Sequence, residues 1–263
     1  MKLTLYQVDA FAKKVFEGNP AAVIPLDSWI PDKVMQSIAQ ENNLSETAFF
    51  CPIKNSYKIR WFTPNGEVEL CGHATLAAAY VIFNFFEHSS RSIDFESLSG
   101  ILTVTQDADM YTLDFPSQNP KECEIPQFLK EGLGEKIDNC YKNEDYVAVF
   151  QDQEKIMNLA PDMKKLSMLD LRGVIVTAPG SEFDFVSRAF FPKYGIPEDP
   201  VTGSAHTKLI PLWSKKLNKS ELTAKQISKR GGELYCINNN KRVKISGHAI
   251  LYMVGEIDIS DKY

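Results

Sequence analysis

A chain of 263 residues is long enough for one large domain or two middling ones, and it buries enough surface to need no disulfide or metal staple. Its composition, 44% apolar and 24% charged, is that of a soluble globular protein, and a net charge of −5 without a basic block excludes a nucleic-acid surface or an acidic membrane as partner. The five cysteines (Cys51, Cys71, Cys123, Cys140, Cys236) are odd in number, scattered and free of any CxxC pair, which fits a reducing cytoplasm and leaves a small molecule as the expected partner.

In chain order, residues 3–11 alternate as a strand, and the stretch from Met1 to Val8 lacks the long apolar core expected of a signal peptide. Gly18-Asn19-Pro20 predicts a turn, followed by a short apolar strand over 21–24. Residues 31–42 predict a helix with Val34, Ile38 and Ala39 on one face, ended by Asn42-Asn43. Strands follow over 47–50 and 57–62, with a turn at Asn65-Gly66. Residues 74–86 are apolar on every side, too short to cross a bilayer, and predict a helix buried all round. Three more strands are expected over 92–95, 101–106 and 110–115. Residues 116–126, with three prolines and several charges, read as a link between a lobe over 1–118 and another over 127–263. In the second half, strands are expected over 146–150, 173–178 and 183–191, with a helical run over 163–171. A helix over 205–217 contains Pro211, which predicts a kink or a late start. Residues 241–245 and 249–257 alternate as closing strands.

The chain also repeats itself. Arg60-Trp61-Phe62-Thr63-Pro64 leads to Cys71-Gly72-His73-Ala74-Thr75, and Arg188-Ala189-Phe190-Phe191-Pro192 leads to Thr202-Gly203-Ser204-Ala205-His206. The arginines are 128 residues apart and the glycines 131, a period of half the chain that points to two similar lobes. Each copy carries a glycine turn entering a helix. Such a turn lets backbone approach a ligand and offers free N–H groups to an anion, although it serves a plain strand–helix turn equally well.

Glu46 lies between an asparagine turn and an apolar strand, where it is either a solvated turn carboxylate, a helix cap, or a desolvated group fit to move a proton. Asp199, in an Asp-Pro turn five residues ahead of Ser204, either shapes that turn or orients an imidazole such as His73. Of the four histidines only His73 and His206 fall in the repeat, and no spacing suggests a metal. With no GxGxxG, Walker or nucleophile-elbow pattern, no cofactor is expected.

Together these segments resemble the PhzF family of phenazine-biosynthesis isomerases. The matching stretches are Gly18-Asn19-Pro20-Ala21-Ala22-Val23, Leu44-Ser45-Glu46-Thr47-Ala48-Phe49, Arg60-Trp61-Phe62-Thr63-Pro64, Cys71-Gly72-His73-Ala74-Thr75 and Glu198-Asp199-Pro200-Val201-Thr202-Gly203-Ser204-Ala205. The tail from Gly247-His248-Ala249-Ile250 to Val254-Gly255-Glu256-Ile257 is similar too. The resemblance implies an α+β, diaminopimelate epimerase-like fold: two lobes, each a curled sheet around a central helix, with the active site in the cleft between them. It implies a cofactor-free proton shift in which Glu46 takes a proton from one substrate carbon and returns it to another, assisted by His73 and Asp199. Ser45, Gly72, Gly203 and Ser204 are then expected to bind the substrate, a small carboxylate such as a dihydro-3-hydroxyanthranilate, in a cytoplasmic homodimer.

Racemases and epimerases of this fold use two opposed cysteines. This chain has Cys71 at the first position but Thr202 at the second, and a hydroxyl is far too weak an acid to exchange protons as a thiol does. Amino-acid racemisation and a purely ligand-binding role are the alternatives to isomerisation.

Overall fold

A computed structural model describes residues 1–259 and separates the chain into two units: Met1–Asp114 together with the segment from Ser246 onward, and Phe115–Ile245. The first unit opens with antiparallel strands β1 (Lys2–Ala10) and β2 (Asn19–Pro25), Tyr6 opposite Val23 and Ala10 opposite Asn19. Helix α1 (Asp32–Asn42) makes the crossover to β3 (Glu46–Ile53), which runs parallel to β2. Its Val34, Met35, Ile38 and Ala39 share the buried face and meet Leu3, Leu5, Ile24, Phe49 and Phe62. The helix stops at Asn43, whose left-handed backbone (φ 47°) turns the chain back toward β3.

β4 (Ser56–Thr63) and β5 (Gly66–Val68) form the hairpin expected at Asn65-Gly66. The all-apolar helix is α2 (Gly72–Phe85), packed on β1, β2 and β3. Its Leu76, Val81 and Ile82 are sealed from solvent, each contributing roughly 1.5–3 kcal/mol of burial. Strands β6 (Ser92–Ser97), β7 (Gly100–Asp107) and β8 (Met110–Pro116) run to the boundary of the unit.

The second unit contains β9 (Lys121–Glu122), α3 (Gln127–Leu133), β10 (Asn139–Lys142), β11 (Tyr146–Val149), α4 (Gln153–Met157), α5 (Met163–Leu166) and β12 (Val174–Pro179). It continues through β13 (Phe185–Phe191), β14 (Ile196–Asp199), α6 (Gly203–Leu217), β15 (Glu221–Gln226) and β16 (Gly232–Asn239), and β17 (Arg242–Gly247) runs up to the boundary. Leu129, Leu133, Phe150, Ile156, Val174, Val176 and Phe190 lie at the centre of its core. Trp213 ties α6 to the strands, stacking on Phe185 and donating its indole N–H to Thr177 Oγ1 at 2.9 Å. The last strand, β18 (Ala249–Asp258), returns to the first unit and pairs with β1 from Lys2–Asp258 to Ala10–Ala249.

Several expectations shift. The boundary falls at Asp114/Phe115, and 116–126 is no free link: the Ser117 and Gln118 N–H groups bind the Lys241 and Thr207 carbonyls, and the stretch carries β9. The carboxyl-terminal strand, assigned above to a lobe over 127–263, belongs to the first unit because its hydrogen bonds go to β1. The helical run over 163–171 shortens to one turn, capped by the Asp162 carboxylate. Strands β15 and β16 are masked in the sequence by polar alternation, burying only Leu222, Ala224, Gln226, Leu234 and Cys236 besides Gly232. Helix α6 starts at Gly203 and runs through Pro211 instead of starting late.

Candidate active site

Three neighbouring elements of the first unit deliver its polar cluster. Gly18 takes φ +67°, and a Cβ there would lie 2.2 Å from the Ala10 carbonyl oxygen, so only glycine allows the turn that starts β2 at Asn19. Glu46 starts β3 opposite Ala21 of β2. His73 sits in the first turn of α2, which packs on both strands. Asn19, Glu46 and His73 thus meet at adjacent element starts.

The His73 ring is buried, and its two nitrogens face different neighbours. Asn19 Nδ2 lies 3.3 Å from Nδ1, Cys71 Sγ lies 3.6 Å from the same atom, and Glu46 Oε2 approaches Nε2 to 3.1 Å. Apart from this mutual approach, neither Glu46 Oε2 nor His73 Nε2 has a hydrogen-bond partner among the described residues, although both are enclosed. Buried polar atoms left in this way are costly, and a ligand atom or proton placed between this facing pair would satisfy both.

Electrostatics follow from the burial. Burial works against a charged His73, but the Cys71 sulfur and the Glu46 carboxylate favour the charge, and the balance lies well above the ordinary imidazole value. Burial, and then the Glu46 charge, push the Cys71 thiol up to about 11. Cys71 therefore stays protonated near neutral pH, which leaves Glu46 as the charged neighbour that matters to His73. Glu46, Cys71 and His73 also place three potential ligand atoms within 4.8 Å of one another. A metal ion there would have to displace the thiol proton.

Cys71 precedes α2 as Thr202 precedes α6, and neither caps its helix through its side chain. Both helices thus open on glycine, at first-turn N–H groups of the kind that can bind a carboxylate. In both helices the fourth residue on returns to the flanking carbonyl: Thr75 Oγ1 donates to Cys71 O, and His206 Nδ1 donates to Thr202 O at 2.8 Å. His206 is sealed and pushed down to about 4 by burial, so it is neutral and structural. Ser45 lies between α1 and β3, immediately before Glu46. Asp199 is buried, and its Oδ2 accepts the Thr202 hydroxyl. Gln226 braces the same corner, accepting the Thr202 N–H at 2.8 Å and donating to the Asp199 carbonyl at 2.7 Å.

Ser204 is held by a network with no sequence signature. Arg172 Nη2 donates to Ser204 Oγ at 3.0 Å and forms a two-pronged pair with Asp145, at 2.8 and 2.7 Å. Lys208, with no exposed side-chain surface, lies 3.1 Å from Asp145 and donates to the Ser204 carbonyl at 3.2 Å. Burial opposes the charge on Asp145, yet Arg172 and Lys208 hold its carboxyl below the usual range. With its oxygen accepting from Arg172, the Ser204 hydroxyl keeps its own proton free to donate. Asn19 shows the same limit of sequence reading: a turn signal marked it, but only the packing of α2 on β2 reveals that its amide meets His73.

A family model described as Phenazine biosynthesis-like protein (PhzC-PhzF) matches residues 8–255. An uncharacterized isomerase of Pseudomonas aeruginosa is 49% identical over 259 residues, covering 98% of this chain and 100% of that one. The crystal structure of a PhzF-family phenazine biosynthesis protein from Enterococcus faecalis superposes with a TM-score of 0.96 at 50% identity, covering 98% and 100% of the two chains. A probable proline racemase from Agrobacterium radiobacter superposes at 0.66 with 10% identity, covering 99% and 94%. That likeness concerns fold alone, and it joins this α+β architecture to the epimerase and racemase fold. By sequence over nearly its whole length, the chain belongs to the phenazine biosynthesis-like PhzC-PhzF family.

Proposed function

We propose that the chain is a cofactor-independent isomerase that shifts a proton between two carbons of a small carboxylate-bearing substrate resembling trans-2,3-dihydro-3-hydroxyanthranilate. The observation that carries this reading is the enclosed pair Glu46 Oε2 and His73 Nε2, 3.1 Å apart and otherwise without hydrogen-bond partners among the described residues. In the proposed step the Glu46 carboxylate removes a proton from one substrate carbon. The electron pair left behind delocalises into the unsaturated, carboxylate-bearing system, and Glu46 returns the proton to a second carbon. No electrons are lost or gained, so no redox cofactor is required.

His73, favoured in its charged form, orients Glu46 and steadies negative charge beside it. The N–H groups opening α2 around Gly72 serve the substrate carboxylate. From the family resemblance, Ser45, Gly203 and Ser204 bind substrate and Asp199 assists proton movement or positions it. The substrate is the only small-molecule partner in this reading, which takes the protein as a cytoplasmic homodimer. Racemisation gains no support from Cys71, whose thiol is pushed up to about 11.

The test is incubation with trans-2,3-dihydro-3-hydroxyanthranilate and related cyclic carboxylates in deuterated buffer, followed by mass spectrometry. Isomerised product should form, carrying up to one solvent deuteron according to how far the proton held on Glu46 exchanges before its return, and Glu46→Gln should slow turnover by about 100-fold or more while the fold is kept. Unchanged turnover in Glu46→Gln would remove the mechanism. Prior dialysis against a chelator should leave the rate unaltered.

A further inference from the structure

Cys123 and Cys140, 17 residues apart in sequence, meet across two strand ends of the second unit. β9 and β10 are antiparallel, with Lys121 opposite Lys142 and Glu122 opposite Tyr141, so the next pair in register is Cys123 with Cys140. The Cys123 N–H donates to the Cys140 carbonyl at 3.0 Å, and the two Sγ atoms are 3.5 Å apart. Both thiols are free. We infer that this pair is a redox modification site, at which a small peroxide converts the two thiols to an intrachain disulfide.

The geometry suits the bond. Hydrogen-bonded antiparallel neighbours have Cα atoms about 5.5 Å apart, inside the roughly 4.4–6.8 Å that disulfides span. Side-chain rotation alone can then bring the sulfurs together. Access differs between the two: Cys123 is half-buried, while Cys140 is buried in the core of the second unit. Cys51, Cys71 and Cys236 are all buried.

The chemistry divides accordingly. Cys123 sulfur attacks one peroxide oxygen, the O–O bond breaks, and water leaves once the thiol proton is taken up, giving a sulfenic acid. Cys140 sulfur then attacks the Cys123 sulfur. The S–O bond breaks, and the Cys140 proton departs with the hydroxide as a second water. Two thiols and one peroxide thus yield one disulfide and two waters. Burial, reinforced by the neighbouring Cys123, pushes the Cys140 thiol up, so Cys140 does not react with peroxide itself, and the closing step is driven by the nearness of the two sulfurs. The bond would pin β9 to β10 and close a loop containing α3.

The experiment treats the full chain with hydrogen peroxide at near-stoichiometric dose under native conditions, then alkylates the remaining thiols and measures intact and peptide masses. Expected are two fewer alkyl groups than in the untreated chain with a further loss of about 2 Da, a crosslinked Cys123–Cys140 peptide, and reversal by dithiothreitol. Cys123→Ser should remove the crosslink, as should Cys140→Ser. Since Cys140→Ser disturbs the core, Cys123→Ala serves as a second variant at the half-buried position. A crosslink through another cysteine, an intermolecular dimer, over-oxidation without a crosslink, or a crosslink seen only after denaturation would each overturn the inference.

Discussion

The Cys71 sulfur lies 3.6 Å from His73 Nδ1, yet the proposed mechanism gives it no proton to carry. A thiol held at about 11 offers almost no thiolate near neutral pH. Cys71→Ala should therefore keep deuterium incorporation within a few-fold of the parent, whereas a two-thiol racemase would lose it. Mass spectrometry of product formed in heavy water separates these outcomes. Replacing His73 by Gln removes the charge beside Glu46, and a fall in kcat larger than any rise in KM is the expected signature. Single residues were legible to differing degrees. Glu46 stood out only once Ser45-Glu46-Thr47 matched a family pattern, since a turn carboxylate before a strand is an ordinary sight. Asp145, Arg172 and Lys208 left no trace at all. They come from a loop before β11, a loop before β12 and the middle of α6, and only folding brings them within 3.1 Å.

Elements tell the repeat more plainly than residues do. Arg60 on β4 makes a two-pronged pair with Glu67, at 2.7 Å for both bonds, and lies 5.1 Å from the Phe62 ring. Arg188 on β13 does the same with Glu198, at 2.7 and 3.0 Å, and lies 5.1 Å from Phe190. The repeated Arg-x-Phe thus encodes one local device, a guanidinium laid over an aromatic ring and clamped by a carboxylate from the following strand. What the repeat could not reveal is that, of two buried histidines, His206 in α6 is held neutral while His73 in α2 faces the Glu46 carboxylate. That difference has a pH consequence. The folded-state value of His206 is about 4 against 6.5 for the free side chain, so the unfolded chain takes up protons first as the pH falls. The stabilisation is complete above about pH 6.5 and is lost on the way down toward 4, by about 2 kcal/mol between pH 7 and pH 5. Urea unfolding at the two pH values should show this loss, and His206→Gln should flatten it. In the loop before β11, Asp145→Asn leaves Lys208 of the same helix, and Arg172, without their buried counter-charge and should cost about 3 kcal/mol, read from the same urea curves. A change below 1 kcal/mol would show that solvent already reaches this network.

At the scale of the whole chain, two similar halves were legible because the repeat period is half the length, but the route of the last strand was not. Alternation over 249–257 shows that a strand exists and says nothing of its partner, since any open strand edge accepts a strand of the right polarity. The partner proves to be β1. The pairing runs all along that strand with one irregularity at Gln7/Val8, and the Met1 and Ile259 backbones exchange hydrogen bonds at 2.6 and 2.8 Å. The first unit is therefore discontinuous in sequence, while the second, Phe115–Ile245, is continuous. This difference predicts unequal responses to truncation. A chain ending at Ile245 keeps the whole second unit but strips β1 of a partner and uncovers part of α2, which packs on β18 as well as on β1 and β2. Exposed strand groups and uncovered apolar surface should unfold the first unit, because the loss exceeds the few kcal/mol by which a domain of this size is stable. Hydrogen exchange read by mass spectrometry should then find protection lost over β1, β2 and β3, and retained over β12 and β13. If β1 to β3 remained protected in the shortened chain, the closing strand would be an ornament on a unit already complete, and the discontinuous assignment would be wrong.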